Sequence, residues 1–278
     1  MSAFKISLLL ASSVSFHISL GRTSTPDSDD KVMMTPREQM WGGPAEGILK
    51  VWLLEVTRDP STHLSYQATT WLATLAECLV ILHSFRGTTR SSDTYSTLLD
   101  ALGPAEASRL TVPFVFGASL IILGGIMRFL AFRTLGPYYT FIQCIRKEHR
   151  LITSGPYTVV RHPGYAGLVY CMIGWCIVHT SPGSWLRMSG VLGVMWVRVG
   201  LACSGLLMAA VVVVSFRRAA DEDRYLSHRF GAEWQAWARR VKYQLVPRDN
   251  IIKKRASSCG FFSTPSSFHF RVNDLVDH

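Results

Sequence analysis

The sequence predicts an all-α protein, a polytopic transmembrane helical protein with about four to five spans and a cytoplasmic C-terminal helical region. Hydrophobic residues make up 48% of the 278 residues and charged residues only 17%, which is unusual for a soluble domain. Long apolar runs alternate with polar, turn-rich segments, a pattern typical of helices that cross a membrane.

The first 62 residues form the first predicted unit, a signal-like or anchor segment followed by a mobile linker. Lys5 precedes a short apolar run, so residues 1–20 are either a cleaved signal peptide or a first span. Residues 21–62 are rich in Ser, Thr, Pro, Asp and Gly, a composition that favours a loop over a packed element.

The second predicted unit is a transmembrane domain over residues 63–248. Its apolar runs cover about 64–85, 112–132, 165–179 and 186–216, and the last of these is either one tilted helix or a helical hairpin. Glu77 is expected to face the protein interior, because an acid is costly in lipid.

The second span carries residues with a predicted packing role. The glycines Gly117, Gly124 and Gly125 permit close approach of a neighbouring helix. Arg128 lies near the end of this span and is expected to extend its charged group to the membrane surface.

The distribution of basic residues predicts the topology. Most Lys and Arg residues lie in the 133–163 loop and after residue 217, whereas the connections 86–110 and 181–187 are nearly neutral, so both basic segments are expected in the cytoplasm. Residues 221–242 predict one or two amphipathic surface helices with a break at Gly231. The third predicted unit, 249–278, is a basic, Ser-rich tail that is expected to be disordered.

The net charge of +10 and the six cysteines exclude several classes of protein. Without a basic-aromatic module, the charge indicates a cytoplasmic membrane face and no nucleic acid partner. The cysteines lack paired zinc spacing, so neither a metal site nor a disulfide framework is expected.

The segment from His149 to Tyr165 is polar, basic and turn-rich, although it lies between two apolar runs. Ionisable groups at the edge of lipid indicate function. Gly-Pro and His-Pro-Gly breaks stop any helix there, so we expect several side chains to be available to a ligand: His149, Tyr157, Arg161 and His162.

Arg218 and Glu222 form a second candidate cluster, because a spacing of four puts both on one helix face. An arginine fork suits a carboxylate, and an acid suits an ammonium or ribose group. With the aromatic residues and the apolar pair Leu151 and Ile152 of the first segment, this set suits a cofactor with a methionine-like head and an adenosine tail. The alternative is that these side chains are membrane anchors, interface aromatics and a surface ion pair.

Three motifs stand in a defined order: H-x-L-I-T-S-G-P-Y from His149, R-H-P-x-Y-x-G from Arg161, and R-x-x-x-E-x-x-x-L-x-x-x-F-G from Arg218. Over about residues 110–248 this order resembles the isoprenylcysteine carboxyl methyltransferase family. The sequence departs from the family pattern at Gly164, where Ser is frequent, in the acidic run 221–223, and at Trp234, where Tyr is usual.

The resemblance implies S-adenosyl-L-methionine as cofactor and methyl esterification of a prenylated C-terminal cysteine in the endoplasmic reticulum membrane. It implies a role in substrate binding and catalysis for Arg218. It implies cofactor contacts for Gln143, His149, Arg150, Leu151, Ile152, Tyr157, His162, Pro163, Gly164, Tyr165 and Glu222. Three alternatives remain open at this point: an NADPH-dependent membrane sterol reductase, a lipid amine methyltransferase, and a non-catalytic lipid-binding membrane protein. The preferred prenyl length also stays open.

Overall fold

The structure is a computed structural model that describes residues 2–20, 31–33, 60–85, 109–136, 144–146 and 150–245. These residues all belong to the first of two units, Met1–Val246 and Pro247–His278. Most of the predicted linker, the 86–108 part of the first loop and the predicted tail over 249–278 lie outside the described residues.

Within the described ranges the chain is almost entirely helical, as the sequence predicts. The α-helices are α1 (Ser2–Leu20), α2 (Pro60–Phe85), α3 (Val112–Leu135), α4 (Pro163–Thr180), α5 (Trp185–Met188), α6 (Met195–Phe230) and α7 (Ala232–Arg240). Two short strands, β1 (Lys31–Met33) and β2 (Cys144–Arg146), pair antiparallel with Lys31 opposite Arg146. Single 3-10 turns occupy Gly155–Thr158 and Val191–Gly193.

Three of the described helices are long and apolar enough to cross a membrane: Ala3–Leu20 within α1, Val112–Leu135 and Met195–Phe230. Helices α2 and α4 pack against them, α2 on α1 and α4 on both α3 and α6. The predicted class, a helical membrane protein, is confirmed.

Helices α3 and α4 touch through their backbones at glycines. A Cβ atom on Gly124 would lie 2.5 Å from the carbonyl oxygen of Gly167, and Gly117 faces α4 in a similar way. A Cβ atom on Gly125 would lie 2.7 Å from the Ser15 carbonyl oxygen of α1. The predicted role of these glycines in close helix packing is therefore confirmed.

We expect Gly124→Ala to lower the thermal unfolding midpoint of the purified protein, because the added methyl group has no space and overpacking costs about 1–3 kcal/mol. Gly205→Ala is the matched control, since nothing lies within 4 Å of a Cβ atom placed there. Thermal unfolding in one detergent checks the prediction, and equal midpoints for the two variants would contradict it.

A buried ion pair joins α1 to α2. Lys5 Nζ lies 2.6 Å from Glu77 Oε1, with side chains 0% and 3% exposed. Lys5 also donates to the Gly183 carbonyl at 3.0 Å, and the Trp185 N–H donates to Glu77 Oε2 at 3.2 Å. Glu77 thus faces the interior, as predicted. Removing Lys5 would leave this acid buried without its cation, so the pair contributes to holding α1 against α2.

Arg128 of α3 does not extend to the membrane surface, so that prediction is wrong. Its side chain is buried, and Nε donates to the Ser19 carbonyl at the end of α1. Nη1 donates to the Gly164 carbonyl at 3.0 Å, in the first turn of α4. The guanidinium group is retained inside because it satisfies two backbone carbonyls there, and it fixes the start of α4 relative to α1.

Helix α6 decides between the alternatives for residues 186–216. After the short α5 and a 3-10 turn, one 36-residue helix runs from Met195 to Phe230, so a hairpin is excluded. The helix also includes residues 221–230, which the sequence analysis assigned to a separate surface helix. That boundary is wrong because no helix-breaking residue stands between Phe216 and Phe230. The break at Gly231 is confirmed, with φ 50° and ψ −117°.

Candidate active site

A short turn-rich segment leads into α4. Gly155 opens a 3-10 turn with φ +60°, a left-handed conformation that favours glycine, and a Cβ atom there would lie 3.0 Å from Thr134 Oγ1. His162 is the N-cap of α4, and Pro163 takes the first helical position, where a backbone N–H is not needed. The predicted helix breaks in this segment are confirmed.

The end of the described chain folds back on this segment. The N–H groups of Arg161 and His162 donate to the carbonyls of Tyr243 and Gln244 at 2.8 and 2.9 Å. The buried Trp237 of α7 donates through Nε1 to the Tyr157 carbonyl at 3.2 Å. Backbone hydrogen bonds therefore hold the turn at a fixed distance from the C-terminal segment.

A buried carboxylate on α6 completes this connection. Arg161 donates to Asp223 Oδ2 from Nε at 3.0 Å and from Nη2 at 2.8 Å, and Gln244 donates to the same oxygen at 2.6 Å. His162 Nε2 lies 2.9 Å from Oδ1. The sequence analysis expected Arg161 to be available to a ligand, which is wrong: its guanidinium group is held by Asp223 and by the Val241 carbonyl at 3.1 Å.

The second ring nitrogen of His162 faces the predicted acid. His162 Nδ1 lies 3.6 Å from Glu222 Oε2, and the Glu222 side chain is 36% exposed, so solutes can reach it. The Tyr165 ring lies 6.0 Å from the His162 ring, and the Arg218 guanidinium carbon lies 5.7 Å from the Tyr165 ring. The structure thus brings together an acid, an imidazole, a phenol ring and a guanidinium group, as the motifs predict.

The other predicted site residues lie around this cluster or cannot be located. Leu151, Ile152 and Tyr157 are half-buried ahead of α4, and Arg150 is exposed. Among the described residues, no hydrogen bond joins Arg150, Leu151 or Ile152 to the His162–Glu222 pair. Gly164 turns its carbonyl to Arg128. Gln143 and His149 lie outside the described residues.

The chemical capacity of the cluster follows from its donors and acceptors. A carboxylate beside an imidazole nitrogen suits an ammonium group, because it supplies a negative charge and a second hydrogen-bond acceptor. Arg218, one helical turn before Glu222 on the same face, suits an anionic group. A negatively charged and a positively charged side chain therefore lie one helical turn apart at the end of the apolar part of α6.

Residues 117–199 match the Isoprenylcysteine carboxyl methyltransferase (ICMT) family. The predicted resemblance is therefore confirmed. The matched segment contains most of α3, the turn, α4 and the first residues of α6. It ends before Arg218 and Glu222, whose assignment rests on motif spacing and on the geometry described above.

Curated relatives of the chain are named protein-S-isoprenylcysteine O-methyltransferases. The chain is 32% identical to protein-S-isoprenylcysteine O-methyltransferase B of Arabidopsis thaliana over 129 residues, which are 45% of this chain and 55% of that protein. It is 29% identical to the Homo sapiens protein-S-isoprenylcysteine O-methyltransferase over 139 residues, 49% of this chain and 42% of that protein. The chain thus spans about half the length of the curated relatives it matches. No solved structure gives a significant match.

Proposed function

We propose that this chain is an S-adenosylmethionine-dependent methyltransferase that esterifies the C-terminal carboxylate of a prenylated cysteine at the endoplasmic reticulum membrane. The family match and the names of the curated relatives support a methyltransferase of this class. The membrane setting is supported by three helices that are long and apolar enough to cross a bilayer.

The observation that carries the proposal is the pairing of a cation site with an anion site around Tyr165. Glu222 and His162 Nδ1 form the first site, and the Arg218 guanidinium carbon lies 5.7 Å from the Tyr165 ring. A methyl donor with an amino acid head brings an ammonium group, and the proposed acceptor brings a carboxylate. The two sites match these two charges in sign and lie close enough to serve one reaction.

For this methyl transfer the protein has mainly to bind the methyl donor and the carboxylate and to orient them. When bound, S-adenosylmethionine supplies a sulfonium methyl group, which passes to a carboxylate oxygen as the carbon–sulfur bond breaks, and no proton needs to move. Arg218 is assigned to hold the carboxylate with a forked hydrogen bond, which fixes the direction of attack. Glu222 and His162 are assigned to hold the head of the donor.

The position of Arg218 also suits a substrate with a lipid tail. The apolar part of α6 leads directly up to it and exposes large side chains, among them Leu206 at 73% and Val213 at 52%. These side chains face acyl chains when α6 lies in a bilayer. A prenyl group dissolved beside α6 would bring its carboxylate to the level of Arg218.

Methylation of a prenylcysteine by the full chain tests the proposal. The purified protein in lipid nanodiscs is incubated with S-adenosylmethionine labelled in the methyl group and with N-acetyl-S-farnesylcysteine. The label in the products is then separated into a base-labile fraction from methyl esters and a base-stable fraction from N-methyl groups. We expect label in the farnesylcysteine, and none in N-acetylcysteine or in the farnesylcysteine carboxamide. Label in phosphatidylethanolamine instead would support lipid amine methylation, and no transfer to either acceptor would contradict the proposal.

A further inference from the structure

We propose that Asp223 is a positioning residue that holds the His162 ring with Nε2–H inward and the Nδ1 lone pair toward Glu222. This inference rests on the proposed function for the identity of the ligand at Nδ1. Asp223 itself is 5% exposed and belongs to the polar interior of the site, whereas the neighbouring Glu222 is accessible.

Three of the four polar contacts of Asp223 in the described structure come from groups that can only donate. Two arginine N–H groups and the Gln244 amide converge on Oδ2, and His162 Nε2 meets Oδ1. A carboxylate that is ionised beside an arginine carries no hydrogen, so both of its oxygens are acceptors only. His162 Nε2 must therefore carry a hydrogen, and a neutral ring then has its lone pair on Nδ1.

This arrangement decides what Nδ1 can bind. At 3.6 Å from Glu222 Oε2, a lone pair on Nδ1 would stand beside a carboxylate, so two acceptors converge without a donor between them. An ammonium group placed between them would donate to both. The ring orientation set by Asp223 therefore creates a two-acceptor site for a cationic head group, and the opposite tautomer would remove it.

Asp223→Asn tests the positioning role without a loss of packing, because asparagine has nearly the same size and shape as aspartate. The amide oxygen is expected to face Arg161 and Gln244, which offer three donors, and the amide N–H then faces His162 Nε2. Nε2 becomes an acceptor, so the hydrogen moves to Nδ1, with the shape of the site unchanged. Substituting the aspartate that orients a histidine by asparagine has this consequence in serine proteases.

The first measurement is the tautomer of His162 in the ligand-free protein. Nitrogen-15 NMR of histidine-labelled protein, with His162→Gln to assign the signal, distinguishes the two neutral tautomers from each other and from the doubly protonated ring. We expect Nε2–H in the wild type and in Asp221→Asn, and Nδ1–H in Asp223→Asn. An unchanged tautomer in Asp223→Asn, or a wild-type ring with its hydrogen on Nδ1, would overturn the proposal.

The second measurement is binding of S-adenosylhomocysteine, which keeps the head group but allows no turnover. We expect Asp223→Asn to weaken it about 10-fold or more, an effect of the size found when the partner that orients a metal-binding histidine is replaced, and Asp221→Asn to leave it within about 2-fold. In a His162→Gln background Asp223→Asn should cost nothing further, because its effect passes through the imidazole. If the losses of affinity from His162→Gln and Asp223→Asn were additive in the double variant, the positioning role would be overturned. An absence of S-adenosylhomocysteine binding in the wild type would refute the proposed function, and the tautomer measurement alone would then decide the role of Asp223.

Discussion

Arg218→Ala is expected to lower the turnover of N-acetyl-S-farnesylcysteine about 30-fold or more, with the affinity for S-adenosylhomocysteine changed little. The variant removes a positive charge and a forked hydrogen bond from a half-buried position, and the loss of such a partner costs about 2–5 kcal/mol. Because each 1.36 kcal/mol in the activation free energy is a factor of about ten in rate, a loss of about 2 kcal/mol already lowers turnover about 30-fold. Methyl transfer rates check the expected loss of turnover, and binding isotherms on the same preparations check that the affinity for S-adenosylhomocysteine is retained.

Two further variants separate charge from geometry at this position. Arg218→Lys keeps the charge without the fork, so we expect only partial recovery of the rate. Arg217→Ala is the matched control, since it removes an exposed arginine from the neighbouring position and is expected to retain the wild-type rate within about 2-fold. A wild-type rate in Arg218→Ala, or a defect confined to donor binding, would refute the assignment of Arg218 to the substrate carboxylate.

Glu222→Ala is expected to weaken S-adenosylhomocysteine binding about 10- to 100-fold, since a hydrogen bond to a charged group contributes about 1.5–3 kcal/mol. His162→Ala should have an effect of similar size, because the Nδ1 acceptor 3.6 Å from Glu222 is lost. Titration calorimetry in detergent measures both affinities.

Asp221→Ala is the control for these two variants. Asp221 is also acidic and half-buried on α6, but its side chain lies 3.7 Å from the exposed Arg224. We expect donor affinity close to wild type in this variant. Equal losses at positions 221 and 222 would mean that only the general negative charge of α6 matters, and the specific assignment of Glu222 would then be wrong.

Local features of the sequence were sufficient to predict the class of fold and the centre of the site. Apolar runs, the glycines of α3 and the Gly231 break depend on residue type and spacing, which a sequence displays directly. Glu222 and Arg218 were found because a separation of four on a helix puts them on one face. Glu77 was expected to face the interior because its charge is too costly to face lipid.

The remaining features depend on partners far away in the chain. Arg128 stays inside because carbonyls of Ser19 and Gly164 are within its reach, and nothing in the α3 sequence indicates these two acceptors. Asp223 was passed over for the same reason: its neighbours His162 and Gln244 are 61 and 21 residues away. Adjacent acids on a helix look alike in sequence, and only the fold makes one buried and the other accessible.

The Lys5–Glu77 pair makes the packed position of α1 depend on segments that follow it in the chain. Glu77 belongs to α2, and the Gly183 carbonyl that also accepts from Lys5 belongs to the segment after α4. A buried charge without a partner is costly, so Lys5 is not expected to be buried until both segments are present. In a chain truncated before α2 both partners are missing, and we expect the Lys5 ammonium group to extend to the water at the membrane surface. The burial of Lys5 therefore reports whether the helices have assembled.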